Sequence, residues 1–454
     1  MDSKSVESAY FASAGHGDDT RLKRFGDWIS VPKIAESANP VRSIYRGGHA
    51  ASRMDIIRRT IEYIRENWSD YPKFVQILRD HIQSQPDAYN TGKEERDLID
   101  SILSTRKEWL DRQVQPSTSD NFDVIHLYTS GFGYDQIFSL LNSALRTDDL
   151  TEHHSLLQAI VFLIELLNID LYNFLSTNPS AAFQGLVFRG VSLHRDQIQE
   201  FKNVAAMPVR DRYWGVPLSM MSASTSAEVA LKFARIDANN CATHRPFLWR
   251  IHVADLDPAL LKIYHDQFPR SVVTTLCAIP IYELSKFQEE GEVLLRGPWF
   301  QLIRVVDEVI DGYGSVLVMD LVMLNANRDH PSTSELGQHQ HEARKLFACL
   351  VGMGRAAVCK QVAEKYQLVD DAVVYGEMFD EQQKKLSELL EGPQSLALYP
   401  RTLFPKLWVF LRTYFRDFIR CFAYFRNWSG QSKDQILDAH SKKHLMASKT
   451  EREV

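Results

Sequence analysis

With 454 residues, 44% of them hydrophobic and 24% charged, the chain has the composition of a soluble globular protein with room for two or three domains. A formal net charge of -6 excludes a global attraction to nucleic acid or anionic membrane. Five cysteines (Cys241, Cys277, Cys349, Cys359 and Cys421), odd in number and without metal-ligand spacing, argue against a disulfide framework or a thiolate metal site.

No apolar stretch of leader type follows Met1, and no apolar run approaches the ~18 residues of a spanning helix, so a cytoplasmic protein is expected. Residues 1–50 are polar and turn-rich, with Tyr45-Arg-Gly-Gly48 as a compact turn. From Met54 to about Val114 apolar residues recur at three- and four-residue steps (Phe74, Ile77, Leu78; Leu98, Ile99, Ile102), the pattern of buried helix faces. Ser117-Thr-Ser-Asp120 is a break. Tyr134 to Leu145 and His154 to Leu175 then read as amphipathic helices.

Strand-length apolar runs follow: Leu186–Phe188, Leu218–Met221, Phe247–Val253, Val272–Ile281, Val293–Leu295, Phe300–Val306 and Val316–Leu324, with one helix, Ala227 to Ala234, among them. Helices followed by strands predict an α+β domain over 119–326, after an arm and N-terminal helical region over 1–118. Asn325 to Ser334 reads as loop, giving a linker over 327–342. A C-terminal helical region, 343–454, contains helical patterns at Ala343–Leu368, Asp380–Leu390 and Leu407–Phe425. The last has a wide apolar face and arginines at 412, 416 and 420. Such a helix suits a membrane surface or a protein partner; packing against the chain's own helices is the preferred reading.

The stretch richest in chemistry is Ser285-Lys-Phe-Gln-Glu-Glu-Gly-Glu-Val-Leu-Leu295. Gly291 permits a tight turn, and in an extended strand Glu290 and Glu292 fall on one face. Paired carboxylates there suit acid/base work or a cationic transition state. Two earlier segments offer partners. In Leu186-Val-Phe-Arg-Gly-Val191, Arg189 provides a phosphate-matching fork, and Gly190 allows a ligand near the backbone. Ser222-Ala-Ser-Thr-Ser226 places hydroxyls at a strand end, with Ser226 positioned to cap the next helix. Gly352-Met-Gly-Arg-Ala-Ala357 has the outline of a dinucleotide loop but no βαβ context, so small residues at a helix contact are expected. His339-Gln-His-Glu342 and Glu152-His-His154 lack a third ligand, and no metal is expected.

Arginine, then Ser-x-Ser-Thr-Ser, then Glu-x-Glu before Val-Leu-Leu, in this order and on strand-like segments, resembles the arginine-specific mono-ADP-ribosyltransferases, the arginine–serine–glutamate class. Ser285 and Phe287 match that family's turn, and Leu127-Tyr-Thr129 with Leu141-Asn-Ser-Ala-Leu-Arg146 is similar to its helical lead-in. The resemblance implies a split β-sandwich around an NAD cleft, with NAD+ as co-substrate and a protein arginine as acceptor. It implies Glu292 at the ribose and the transition state, Glu290 on the incoming guanidinium, and Phe287 positioning the target arginine. Arg189 is implied on the phosphates, the Gly190 backbone at the nicotinamide amide, and Phe233 stacked on the nicotinamide ring. Either Ser222 or Ser224 matches the family's serine; Ser224 is preferred, because Ser-Thr-Ser is contiguous there, and would bond Glu292. Glu289 is a bystander. An NAD glycohydrolase using the same residues, or a catalytically silent binding module, are the alternatives.

Overall fold

A computed structural model describes residues 70–84, 122–133, 154–177, 183–215, 220–235, 243–254, 278–296, 299–324 and 338–391, with a few positions between 93 and 101. Tyr45-Arg-Gly-Gly48, the helical pattern at 134–145, the linker loop 325–334 and the amphipathic stretch 407–425 lie outside these residues.

Strand pattern and turn residues organise the centre of the chain. Eight strands, β1 (Gly185–His194), β2 (Tyr213–Gly215), β3 (Met220–Ser224), β4 (His244–Ala254), β5 (Ala278–Pro280), β6 (Glu292–Arg296), β7 (Trp299–Ile310) and β8 (Gly314–Leu324), form one sheet in the order β2-β7-β8-β4-β1-β3-β6-β5. The class is α+β. Among the described residues only β4 and β8 pair in parallel. β1 pairs with β4 along ten positions, yet meets β3 at a single residue pair, Phe188↔Ser224. The sheet is therefore two parts hinged at one point, and the opening beside that point is the cleft.

Strand alternation builds a core on each face. Val187, Met221, Val293, Trp249 and Ile251 cluster with Phe201 of α4 (Arg195–Ala205), whose ring stacks on Phe247 at 5.4 Å. On the other face Phe188, Leu248 and Val318 pack against Ala230 and Leu231 of α5 (Ala227–Phe233). Ser226 caps α5 as its position suggests, accepting a hydrogen bond from the Val229 N–H at 3.3 Å. Ahead of the sheet, α1 (Tyr71–Ser84), α2 (Asp123–Thr129) and α3 (His154–Thr177) form a helical lobe. Phe74 of α1 meets Phe162 of α3 at 5.6 Å. Phe122, at the start of α2, meets Phe174 of α3 edge-on at 5.5 Å.

Behind β7 and β8 lies a helical hairpin, α6 (Gln338–Lys365) and α7 (Val369–Glu391). α6 starts inside the interval taken as linker, and α7 starts well before Asp380. β2 and α4 have no counterpart among the expected elements: three residues carry no periodicity, and α4 is mostly polar. Gly352 sits in α6, where a Cβ would lie 3.0 Å from Gln382 Cγ of α7, so the glycine serves a helix–helix contact.

The hairpin docks through a buried charge cluster. Asp320 receives Arg250 Nε at 2.5 Å, Arg304 Nε at 2.7 Å and the Tyr366 hydroxyl at 2.9 Å, while Arg304 lies over the Tyr366 ring at 3.4 Å. Burial by itself raises the Asp320 carboxyl, but His252 and Arg250 outweigh it and hold the group far below the usual carboxylate range. His252 stands 3.5 Å away, and burial lowers its own basicity while Asp320 opposes that effect. A depressed folded-state pKa stabilises the fold above the unfolded carboxylate's value and is lost as pH falls through the folded one. Asp320→Asn is thus expected to cost about 3–5 kcal/mol at neutral pH, by removing the buried anion that pairs with the buried Arg250. Urea unfolding checks this, and the gap to wild type should narrow in strong acid.

Candidate active site

The cleft at the hinge has a volume of about 410 Å³ and is lined by Arg189, Gly190, Ser222, Ser224, Glu290 and Glu292, with residues of α2 and the rings of Phe233 and Phe287. Residues from four separated segments are thereby brought together.

Its floor is set by how β3 ends. The Thr225 N–H donates to the Gly291 carbonyl, so Ala223 directs its polar backbone groups to β6 while Ser222 and Ser224 direct theirs toward β1. β1 supplies a ladder partner at Ser224 only. At Ser222 the Arg189 guanidinium fills the gap, Nη1 donating to the Ser222 carbonyl at 2.6 Å. The fork has further N–H donors and lines the cleft.

Val293 and Leu295 point into the core, which puts Glu292 on the cleft side with Ser222 and Ser224. Ser224 is directly opposite Glu292, yet does not bond its carboxylate. The Ser224 hydroxyl donates to the Glu290 carbonyl at 2.5 Å and accepts from the Ser226 N–H at 2.9 Å, so it ties the turn to the helix start. Ser222, the diagonal neighbour, donates to Glu292 Oε1 at 2.6 Å. This corrects the preference for Ser224 as the partner of Glu292: a hydroxyl carries one proton, and the turn has taken that of Ser224. Ser285, 3% exposed, donates to the second oxygen, Oε2, at 3.2 Å, and accepts from the Phe287 N–H at 3.1 Å.

Between these residues the chain makes a 3-10 turn, Gln288–Glu290, closed by Gly291 at φ 58° and ψ 47°. A side chain is strained there, and a Cβ would stand 2.3 Å from Thr225 Oγ1. Gly190 also answers a packing need. A Cβ on it would lie 1.7 Å from the Ala230 carbonyl oxygen, so its first function is to let α5 pack on β1.

Both carboxyls titrate above the ordinary glutamate value. Burial raises Glu292, partly offset by the hydrogen bonds from Ser222 and Ser285, and the Glu290 charge raises it further. Burial also raises Glu290, with Glu289 adding to the effect and Lys232 opposing it. Two aromatic rings stand open to solvent at the mouth, Phe233 at 63% and Phe287 at 42% exposure. Large apolar rings left this exposed at a cleft suit a planar ligand or a partner chain.

Sequence reasoning passed over Tyr128 as a site residue. α2 brings it to the cleft wall, with its hydroxyl 3.3 Å from Ser222 Oγ. The Lys286 N–H donates to Thr129 Oγ1 at 3.4 Å, so the same helix also touches the acidic turn. No spacing rule links a helix to a strand 94 residues later; the Tyr-Thr pair was visible only as part of a lead-in. Among the described residues no group of His, Cys, Asp and Glu is arranged to hold a metal ion, and no helix is long and apolar enough to cross a membrane.

No family model and no curated protein matches the sequence. Some solved structures are similar in part. The ADP-ribosyltransferase HopU1 of Pseudomonas syringae is 16% identical and matches over 50% of this chain and 87% of its own, with a TM-score of 0.30. The Vis toxin of Vibrio splendidus, an ADP-ribosyltransferase, is also 16% identical, over 54% of this chain and 91% of its own, with a TM-score of 0.30. Plx2a, an ADP-ribosyltransferase toxin of Paenibacillus larvae, is 12% identical over 51% and 96%, with a TM-score of 0.25. At these scores the likeness carries no weight in assigning a reaction to this chain. The site's own geometry has to do so.

Proposed function

We propose that this chain binds NAD+ in the cleft, breaks the bond between nicotinamide and ribose, and transfers ADP-ribose to the guanidinium of a protein arginine. The observation that carries the reading is the grip on Glu292. A partly desolvated carboxylate is clamped through both oxygens by Ser222 and Ser285, beside an arginine fork and a second carboxylate that line the same cleft.

As the glycosidic bond lengthens, its electron pair leaves with the nicotinamide nitrogen and the ribose gains oxocarbenium character. A preorganised carboxylate stabilises that charge without reorganising. Glu292 does this and accepts the ribose 2′-hydroxyl. Arg189 binds phosphate oxygens, as its remaining N–H donors allow, and the Gly190 backbone faces the nicotinamide amide. Phe233 stacks on the nicotinamide ring, and Phe287 orients the acceptor. Glu290 draws in the guanidinium and takes the proton released when its nitrogen attacks the anomeric carbon. A guanidinium is always protonated in solution, and the raised Glu290 makes the better base for this step. No step calls for a metal ion.

The deciding assay incubates the full chain with NAD+ labelled in the adenylate half and with agmatine or a protein lysate. Label on the acceptor, removed when agmatine competes, is the expected result. Nicotinamide release without acceptor labelling makes the chain a glycohydrolase, and no release from folded protein overturns the enzymatic reading.

The two serines separate in the same assay. Ser222→Ala is expected to slow nicotinamide release about 10-fold or more, because it removes a hydrogen bond to a charged group. It should also move the acid limb of the pH profile upward, since Ser222 is one of the groups holding Glu292 down. Ser224→Ala should leave the acid limb in place and lower Tm, because that hydroxyl ties backbone to backbone.

A further inference from the structure

Tyr128 is 1% exposed, yet its hydroxyl reaches the cleft beside Ser222. The direction of that contact follows from counting protons. Glu292 is acceptor-only when ionised, and Ser222 spends its single proton on Glu292 Oε1 at 2.6 Å. Ser222 Oγ can then meet Tyr128 only as an acceptor, so the phenol is the donor. Tyr128, Ser222 and Glu292 thus form a chain of donors pointing one way, ending on the carboxylate. Chains of this kind polarise each bond along them.

We infer that Tyr128 is a positioning residue, holding Glu292 in its ionised, correctly aimed form through Ser222; the inference rests on the ADP-ribosyl transfer reading for its consequence in catalysis. Protonating Glu292 at Oε1 would require the chain to break or reverse, turning the Tyr128 proton away from Ser222. The phenol therefore favours the carboxylate. Tyr128 is held by the helical lobe rather than by the sheet. The Val124 N–H at the start of α2 donates to the buried Asp170 of α3 at 3.0 Å, and Thr129 at its end accepts from Lys286. The lobe is in this way wired to the carboxylate it overhangs.

The other groups around Glu292 are Ser285 and Glu290 from the turn and Arg189 from β1, which bonds the Ser222 carbonyl. Lys232 of α5 and Glu289 act on Glu290. Tyr128→Phe leaves all of these in place.

The test titrates the full chain, labelled with 13C at the glutamate carboxyls, and identifies Glu292 by the resonance missing from Glu292→Gln. Tyr128→Phe is expected to raise the Glu292 midpoint by about 0.5 pH unit, part of the worth of one hydrogen bond. In a Ser222→Ala background the same change should add nothing. In nicotinamide release, kcat should fall about 3- to 10-fold, with KM for NAD+ within about 2-fold of wild type. An unmoved midpoint, with or without a lower Tm, overturns the proposal, as does an equal shift in the Ser222→Ala background. A raised KM with unchanged kcat also overturns it, since Tyr128 would then touch the substrate. If wild type releases no nicotinamide, the functional reading fails, and the carboxyl titration still decides the relay.

Discussion

Glu292→Gln is expected to lower nicotinamide release from NAD+ about 100- to 1,000-fold, the usual cost of losing one preorganised group aimed at a developing charge. It is also expected to raise Tm. Burial lifts the Glu292 pKa above the ordinary 4.5, and a carboxyl whose folded-state pKa is raised favours the folded state at low pH. That contribution fades as pH rises through the folded value, so at neutral pH the ionised group costs stability. A neutral amide of the same shape removes the cost. A substitution that stabilises the fold while abolishing the reaction separates function from folding; Glu292→Gln with reduced Tm and reduced activity would instead mark a structural role. In wild type, release should fall as pH drops through a midpoint above 4.5, because the protonated carboxyl cannot stabilise a cation. Single-turnover rates across pH, with circular dichroism as a folding control, measure both effects.

The second large effect is a change of product. Glu290→Gln is expected to abolish transfer to arginine while nicotinamide release persists, because in the proposed reaction Glu290 serves the acceptor and Glu292 the ribose. The Glu290 side chain makes none of the bonds that hold Glu292; it contributes its backbone carbonyl to Ser224, which glutamine preserves. Removing its charge also lowers the Glu292 pKa, since Glu290 is one of the groups raising it. The acid limb of residual hydrolysis should therefore move downward in the variant. Equal loss of release and transfer would show that the two carboxylates do not divide the work. Both products are read in one experiment with labelled NAD+ and agmatine.

Much of this arrangement is legible along the chain. Val187 and Phe188 alternate between the two cores as their strand pattern predicts, and Ser226 caps α5. Gly291 takes the left-handed conformation that the turn between two acids calls for. Arg189, Glu290 and Glu292, which line one cleft, are legible as candidates because their chemistry is local to short motifs. What stayed hidden was long-range. β2 and α4 are held by pairing and packing rather than by pattern, and α2 reaches the cleft because α3 carries it there.

Local periodicity put carboxylates, arginine and serines on strand segments, and put Ser222 and Ser224 on one face of β3, which is as far as a two-residue repeat can reach. Choosing between those serines needed the tertiary structure. The ladder between β1 and β3 stops after one pair, the turn takes the Ser224 proton, and Ser222 is left to the carboxylate and to Tyr128 from a helix 94 residues away. A hydroxyl has one proton to give, and its recipient is decided by neighbours that the sequence does not place side by side.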